Sequence, residues 1–166
     1  MFEANFRDVF QAKLSTSEFN KLSSFIFTEY GIKMPDVKKT MLQSRLQKRL
    51  RALQMTSFSE YVDFVFSKKG QTEEVIHMMD VVSTNKTDFF REPVHFDFIK
   101  DHVIPQRYSN GSHQRPLKIW SAGCSSGEEP YTIAITLNEI KEDYPALEYS
   151  ILGTDISTQM LQNGMN

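Results

Sequence analysis

The sequence predicts a chain in two parts: a small all-helical domain over residues 1–82, then the opening of a layered α/β domain over 83–166. Three observations carry this reading. Up to about residue 82, apolar residues recur at three- and four-residue spacing without strand-like alternation. From Leu117 a short apolar run enters a glycine-bearing turn that opens a new helical pattern, and a second such run follows from Tyr149. Between these regions, residues 109–116 are polar and turn-rich, as expected of a surface loop leading into a sheet.

Within the first part, Ser15-Thr16-Ser17-Glu18 offers a capping box at the start of a helix. Phe19, Leu22, Phe25 and Ile26 share one face of it, and Gly31 ends it. Pro35-Asp36 starts a second helix, with Leu42, Leu46, Leu50 and Leu53 as its buried stripe. A third is expected from about Ser57 through Tyr61, Val62, Val65 and Phe66 to a stop at Gly70. A fourth covers Glu73 to Val82. In the second part, Leu117 to Trp120 reads as a buried strand, Tyr131 to Ile140 as a helix, and Tyr149 to Asp155 as a second strand ending in an acid. The next helix begins near Ile156. No internal repeat is visible.

The second helix has an unusual charge pattern. From Val37 to Ser59 there are six cations (Lys38, Lys39, Arg45, Lys48, Arg49 and Arg51) and no acid. At about 100° per residue, Lys38, Arg45 and Arg49 fall along one ridge beside the leucine stripe. A solvated face is one reading. Surface helices usually mix signs, because acids at i,i+4 relieve repulsion, so a docking face for an acidic partner helix is the other.

The segment from Trp120 through Gly123-Cys124-Ser125-Ser126-Gly127-Glu128-Glu129-Pro130 to Tyr131 carries the chemistry. Gly123 and Gly127 lack Cβ atoms and let backbone approach a ligand. Ser125 or Ser126 is placed to cap the helix, and Pro130 suits its first turn. The spacing is neither the dinucleotide fingerprint nor a phosphate loop. Two carboxylates stand where a diphosphate would want N–H groups and positive charge. That favours a guest with a cationic, non-phosphorylated end, and S-adenosylmethionine fits. Asp155, at the carboxyl end of the following strand, is placed to accept ribose hydroxyls, or to cap the helix after it.

Composition bounds the alternatives. The chain has 166 residues, 40% hydrophobic with 13 Phe and 8 Met, enough for a globular core. A net charge of −2 argues against a general nucleic-acid binder. No apolar stretch has signal-peptide or membrane-spanning length. The single Cys124 excludes an internal disulfide and is compatible with a reducing cytoplasm. In the glycine turn it reads as a small packing residue rather than a nucleophile. His77, His95, His102 and His113 have no partners at metal-ligand spacing, so no metal is expected.

Three blocks resemble the CheR-type chemoreceptor glutamate methyltransferases: Thr84-Asn85-Lys86-Thr87-Asp88-Phe89-Phe90-Arg91-Glu92, the glycine turn from Trp120 to Tyr131, and Gly153-Thr154-Asp155-Ile156. Their order and spacing match over essentially the whole chain, and the basic second helix matches the family's receptor-facing helix. The resemblance implies a helical receptor-docking domain followed by a Rossmann-like class I methyltransferase domain. It implies S-adenosylmethionine as cofactor, with S-adenosylhomocysteine as product. Asn85, Thr87 and Arg91 would lie over the methionine end, with Arg91 also beside the incoming carboxylate. Glu129 would answer the ammonium, although Glu128 is an alternative, and Asp155 would hold the ribose. Lys38, Arg45, Lys48 and Arg49 would meet the cytoplasmic helices of a methyl-accepting chemoreceptor. A glutamate is already ionised near neutrality, so no general base is required. A cytoplasmic monomer without nucleic-acid or membrane insertion completes the expectation.

The resemblance also implies that a family member continues past Asn166 with further strands and the residues that close over adenine. A sheet of two strands would then leave Leu117 to Trp120 with an exposed apolar edge, and the second part of this chain is expected to be inactive by itself. The rival readings are a non-enzymatic receptor-docking module, an NAD oxidoreductase and a nucleic-acid methyltransferase. The carboxylate pair and missing third glycine oppose the oxidoreductase, and the acidic balance opposes the nucleic-acid enzyme.

Overall fold

The computed structural model describes residues 11–111 and 115–166; His113 and the middle of the predicted 109–116 loop lie outside the described residues. The chain divides into two compact units, Met1–Thr84 and Asn85–Asn166.

Among its described residues the first unit contains helices and no strand. Helix α1 spans Thr16–Tyr30 and begins with the expected capping box: Ser15 Oγ accepts from the Glu18 N–H at 3.2 Å, and Glu18 Oε2 accepts from the Ser15 N–H at 2.7 Å. Gly31 ends it in the left-handed region at φ 69°. A 3-10 turn at Asp36–Lys38 leads into α2, Lys39–Leu53. Leu42, Leu46 and Leu50 of α2 are fully buried, whereas Leu53 is half-buried at the margin. Each leucine taken wholly from water contributes about 1.5–3 kcal/mol. These three meet Phe19, Leu22 and Ile26 of α1 in a core completed by the next two helices.

Helix α3 is shorter than the sequence suggests. It spans Phe58–Val65, capped by Ser57, and does not run to Gly70. Ser67 starts α4, Lys68–Val82, accepting from the Gly70 N–H at 3.0 Å. Gly70 is therefore inside the first turn of α4 rather than a stop, and that helix begins five residues before Glu73. The glycine is there for space: an added Cβ would lie 1.9 Å from the Phe64 carbonyl oxygen. A glycine read from sequence as a terminator is in fact where two helices cross closely.

The second unit opens with a segment outside helix and strand at 85–88. Helix α5 (Val94–Phe98), a π-helical stretch (Ile99–Val103) and α6 (Ile104–Ser109) follow without a break, an element not anticipated from the sequence. Pro105 has no N–H to give, and the widened turn stands directly before it. Strand β1 (Leu117–Ala122) pairs in parallel with β2 (Tyr149–Thr154), in register from Leu117 opposite Tyr149 to Ala122 opposite Thr154. Between them runs α7, Glu128–Ile140, and α8, Thr158–Met165, follows β2. Helix α7 starts three residues before Tyr131, and α8 two residues after Ile156.

One face of the strand pair joins a core of Phe96, Ile104, Ile133, Leu137, Ile140 and Leu147, with Ile119 and Ile151 half-buried against it. The other face is open: the register pair Trp120 and Leu152 is 68% and 61% exposed. The expectation of a buried β1 is thus corrected, since Ser121 is its single fully buried residue. A parallel strand needs cover on both faces to be buried, and only the α7 side has it among the described residues.

Candidate functional site

The site is built on the turn between β1 and α7. Gly123 and Gly127 have φ of 89° and 100°, conformations a side chain resists. The Gly123 and Cys124 N–H groups both donate to the Thr154 carbonyl, at 2.7 and 2.9 Å, so the turn is pinned to the end of β2. Gly123 faces open space: an added Cβ would meet nothing within 4 Å. Gly127, not Ser125 or Ser126, is the N-cap of α7, and it makes no side-chain cap bond. The two serines are committed elsewhere.

The neighbouring acids separate in role. The Ser126 hydroxyl donates to both Glu128 carboxylate oxygens, at 3.0 and 2.8 Å. Glu129 turns the other way and accepts from the buried Ser121 hydroxyl at 2.6 Å. Its second oxygen receives no hydrogen bond among the described residues. Glu129 lines a pocket of about 150 Å³ with Gly123, Thr87, Arg91, Lys86 and His95. Two residues expected to lie together, Arg91 and Glu129, therefore meet at one cavity with Thr87.

Arg91 is exposed and donates to the Lys86 carbonyl at 3.0 Å. Its neighbours Phe90 and Glu92 are both left-handed, at φ 55° and 56°. Non-glycine residues in that region are uncommon and collect at functional sites. The Phe90 N–H is held by Thr132 Oγ1 of α7 at 3.2 Å, which fixes this kinked segment against the turn. Asn85 is half-buried, outside the lining of that pocket, and its carbonyl accepts from the Ser125 hydroxyl at 3.0 Å.

Asp155 is half-buried just past β2. One carboxylate oxygen accepts from the Ser125 N–H at 2.7 Å and the other from the Ser157 N–H at 2.8 Å. Ser157, not Asp155, caps α8 through the Met160 N–H. The carboxylate thus ties the end of β2 to the glycine turn. Cys124 is buried, and burial pushes its thiol pKa up, with Asp155 adding to the effect. Its sulfur lies 3.0 Å from where a Cβ on Gly153 would be, the contact of a packing residue.

The residues suit the methionine end of an adenosyl cofactor. Open space above Gly123 leaves room for it, and Glu129, with one oxygen bonded to Ser121, has the chemistry to accept from an ammonium there. Pairing Ser121 with Glu129 is a feature sequence reading missed. A polar residue at a position where strand alternation turns inward was the available signal.

The basic helix looks different in three dimensions. Lys38 and Lys48 are exposed, but Arg45 and Arg49 are half-buried and their donors are used within their own unit. The Arg45 guanidinium donates to the Val82 and Ser83 carbonyls at the end of α4 and to Thr84 Oγ1. Arg49 makes a bidentate pair with Glu74, both bonds 2.8 Å, and Tyr61 donates to the same carboxylate at 3.0 Å. Glu74 is 2% exposed. For Arg49 the acid missing from α2 is supplied by α4, whereas Arg45 is turned to the backbone carbonyls at the end of that helix.

A strand, glycine turn and helix, with an acid after the following strand, define an adenosyl-cofactor-type α/β fold beginning behind a small helical domain. Family models agree: residues 17–83 match the CheR methyltransferase all-alpha domain, and residues 85–166 match the CheR methyltransferase SAM binding domain. The chain belongs to the CheR methyltransferase family. It is 38% identical over 151 residues to the chemotaxis protein methyltransferase of Borreliella burgdorferi, covering 89% of this chain and 53% of that protein. For the Vibrio parahaemolyticus protein of that name, identity is 36% over 152 residues, with 90% and 54% covered. For the Escherichia coli one it is 35% over 151 residues, with 90% and 49% covered. The chain spans about half the length of the curated relatives it matches. Among the described residues no helix is long and apolar enough to cross a membrane.

Proposed function

We propose that this chain carries the docking domain and the cofactor-binding portion of an S-adenosylmethionine-dependent protein-glutamate O-methyltransferase acting on the cytoplasmic helices of chemoreceptors. The observation that carries the reading is the pocket shared by Glu129 and Arg91, with Glu129 braced by Ser121. S-adenosylmethionine supplies an electrophilic methyl on a sulfonium and leaves as S-adenosylhomocysteine. The roles left to this chain are binding and orientation. Glu129 accepts from the ammonium, Thr87 bounds the methionine end, Asn85 backs that segment from outside the pocket lining, and Asp155 meets the ribose with the lone pairs its two backbone bonds leave free. Arg91 orients the incoming glutamate carboxylate by charge-assisted hydrogen bonds. Its exposed guanidinium suits positioning better than clamping, because attraction too strong in the ground state slows transfer. The glutamate is already ionised near neutral pH, so holding two reactants in line supplies the catalysis. On the docking side, exposed Lys38 and Lys48 are the cations available to an acidic receptor helix, and Arg45 and Arg49 support the helix that presents them.

Calorimetric titration of the 166-residue chain with S-adenosylhomocysteine, beside Glu129→Gln and Asp155→Ala variants, tests this. Saturable binding is expected. Glu129→Gln should weaken it roughly tenfold or more, the worth of a hydrogen bond to a charged group. No binding by a folded chain, or equal binding by Glu129→Gln, refutes the assignment of the cofactor site.

A further inference from the structure

Ser125 joins three segments of the second unit: its own glycine turn, the end of β2 at Asp155 and the segment that begins at Asn85. Its N–H donates to Asp155 Oδ2 at 2.7 Å, and its hydroxyl donates to the Asn85 carbonyl at 3.0 Å. The first bond spans 30 residues and the second 40, so neither belongs to the turn itself. Ser125 is 5% exposed, and its φ is 50°, in the left-handed region that a Cβ disfavours. Gly127 caps α7, so Ser125 is not needed to start that helix. A glycine would satisfy this backbone without strain, yet the position carries a side chain whose one polar atom reaches Asn85.

We infer that Ser125 is a positioning residue of the cofactor site: a strained turn residue that holds the Asn85 segment and the Asp155 carboxylate at a set distance, ready for ligand. The inference rests on the cofactor reading above. The backbone N–H fixes Asp155, whose other oxygen is fixed by Ser157, leaving the carboxylate a single orientation. The hydroxyl anchors the segment that two and six residues later presents Thr87 and Arg91. Ordering both before binding removes that ordering cost from the affinity.

Ser125→Gly and Ser125→Ala in the full 166-residue chain test this. Both lose the hydroxyl and keep the N–H, but only glycine relieves the backbone. Three readouts are needed: thermal midpoint, affinity for S-adenosylhomocysteine, and amide exchange over residues 85–91. Ser125→Gly should melt no lower than the parent chain while binding about three- to tenfold more weakly. Exchange over 85–91 should quicken in both variants. A merely structural serine predicts the opposite, with affinity unchanged in Ser125→Gly, and that result overturns the inference. If the parent chain binds no S-adenosylhomocysteine, the cofactor reading fails on its own. The exchange arm then still decides, since unchanged exchange over 85–91 overturns the anchoring role and faster exchange supports it.

Discussion

Replacing Arg49 with alanine leaves the Glu74 carboxylate, 2% exposed, with the Tyr61 hydroxyl, at 3.0 Å, as its remaining hydrogen-bond partner among the described residues. Removing one member of a buried ion pair strands the other charge and typically costs about 3–5 kcal/mol. Arg49 keeps 18% of its side-chain exposure, which lets some water reach the carboxylate, so the low end applies: about 3 kcal/mol. For a domain of this size, each kcal/mol moves the midpoint by about 4–8 °C, giving a fall of roughly 12–24 °C. The assay is thermal unfolding followed by circular dichroism, with fluorescence of the single tryptophan as a second probe. Trp120 belongs to the second unit, so fluorescence follows that unit while circular dichroism follows the helices. A triple change, Arg49→Met with Glu74→Leu and Tyr61→Phe, should recover most of the loss, because it removes the Tyr61 hydroxyl that Glu74 accepts from and an apolar cluster of similar volume commonly replaces a buried ion pair without penalty. A fall of less than about 4 °C in Arg49→Ala, near 1 kcal/mol, would refute the reasoning. It would return Arg49 to the solvated ridge its sequence suggested.

Other outcomes follow from the same coordinates. Gly70→Ala puts a methyl 1.9 Å from a backbone oxygen that cannot swing aside, so α3 and α4 must separate; a loss of about 3 kcal/mol is expected in urea unfolding. Gly153→Ala meets the Cys124 sulfur at 3.0 Å, and should cost about 1–2 kcal/mol that Cys124→Ala partly restores, measured as a double-mutant cycle. The Tyr61 hydroxyl is held well above its usual pKa, by burial first and then by Glu74. Above about pH 10 the unfolded chain releases a proton that the folded one keeps, so stability is level below that pH and falls above it. Tyr61→Phe should flatten that alkaline limb, read from unfolding midpoints between pH 8 and 11, and an unchanged limb would count against the burial argument.

The helical unit was legible where local rules act alone. Ser15 with Glu18, the buried Leu42, Leu46 and Leu50, and Gly31 each follow from spacing within a single helix, and each is where that spacing puts it. The misreadings concern residues whose partners are distant. Gly70 has the composition of a stop, yet its role is set by the Phe64 carbonyl of the preceding helix. Arg49 lies on a helix without acids, and its acid is 25 residues away. A helical wheel shows which residues share a face, not what that face meets.

The cofactor turn shows the same division at the site. The glycines, the two carboxylates and the acid after β2 form a pattern of residue types at fixed spacing, which was legible in the sequence. Their division of labour was not: Glu128 and Glu129 are adjacent in sequence, and what separates them is Ser126 on one side and Ser121, a buried strand position, on the other. The strained pair Phe90 and Glu92 likewise has no signature in residue type, since neither is a glycine or asparagine. Strain of this kind persists where surrounding bonds over-determine the backbone, here the Thr132 bond to the Phe90 N–H and the Lys86 carbonyl under Arg91. Thr132 is itself on α7, whose first turn carries Glu129. One helix therefore holds Glu129, the acid proposed to meet the cofactor, and, one turn on, the hydroxyl that fixes the segment carrying Arg91, so a shift of α7 would disturb both ends of the pocket together.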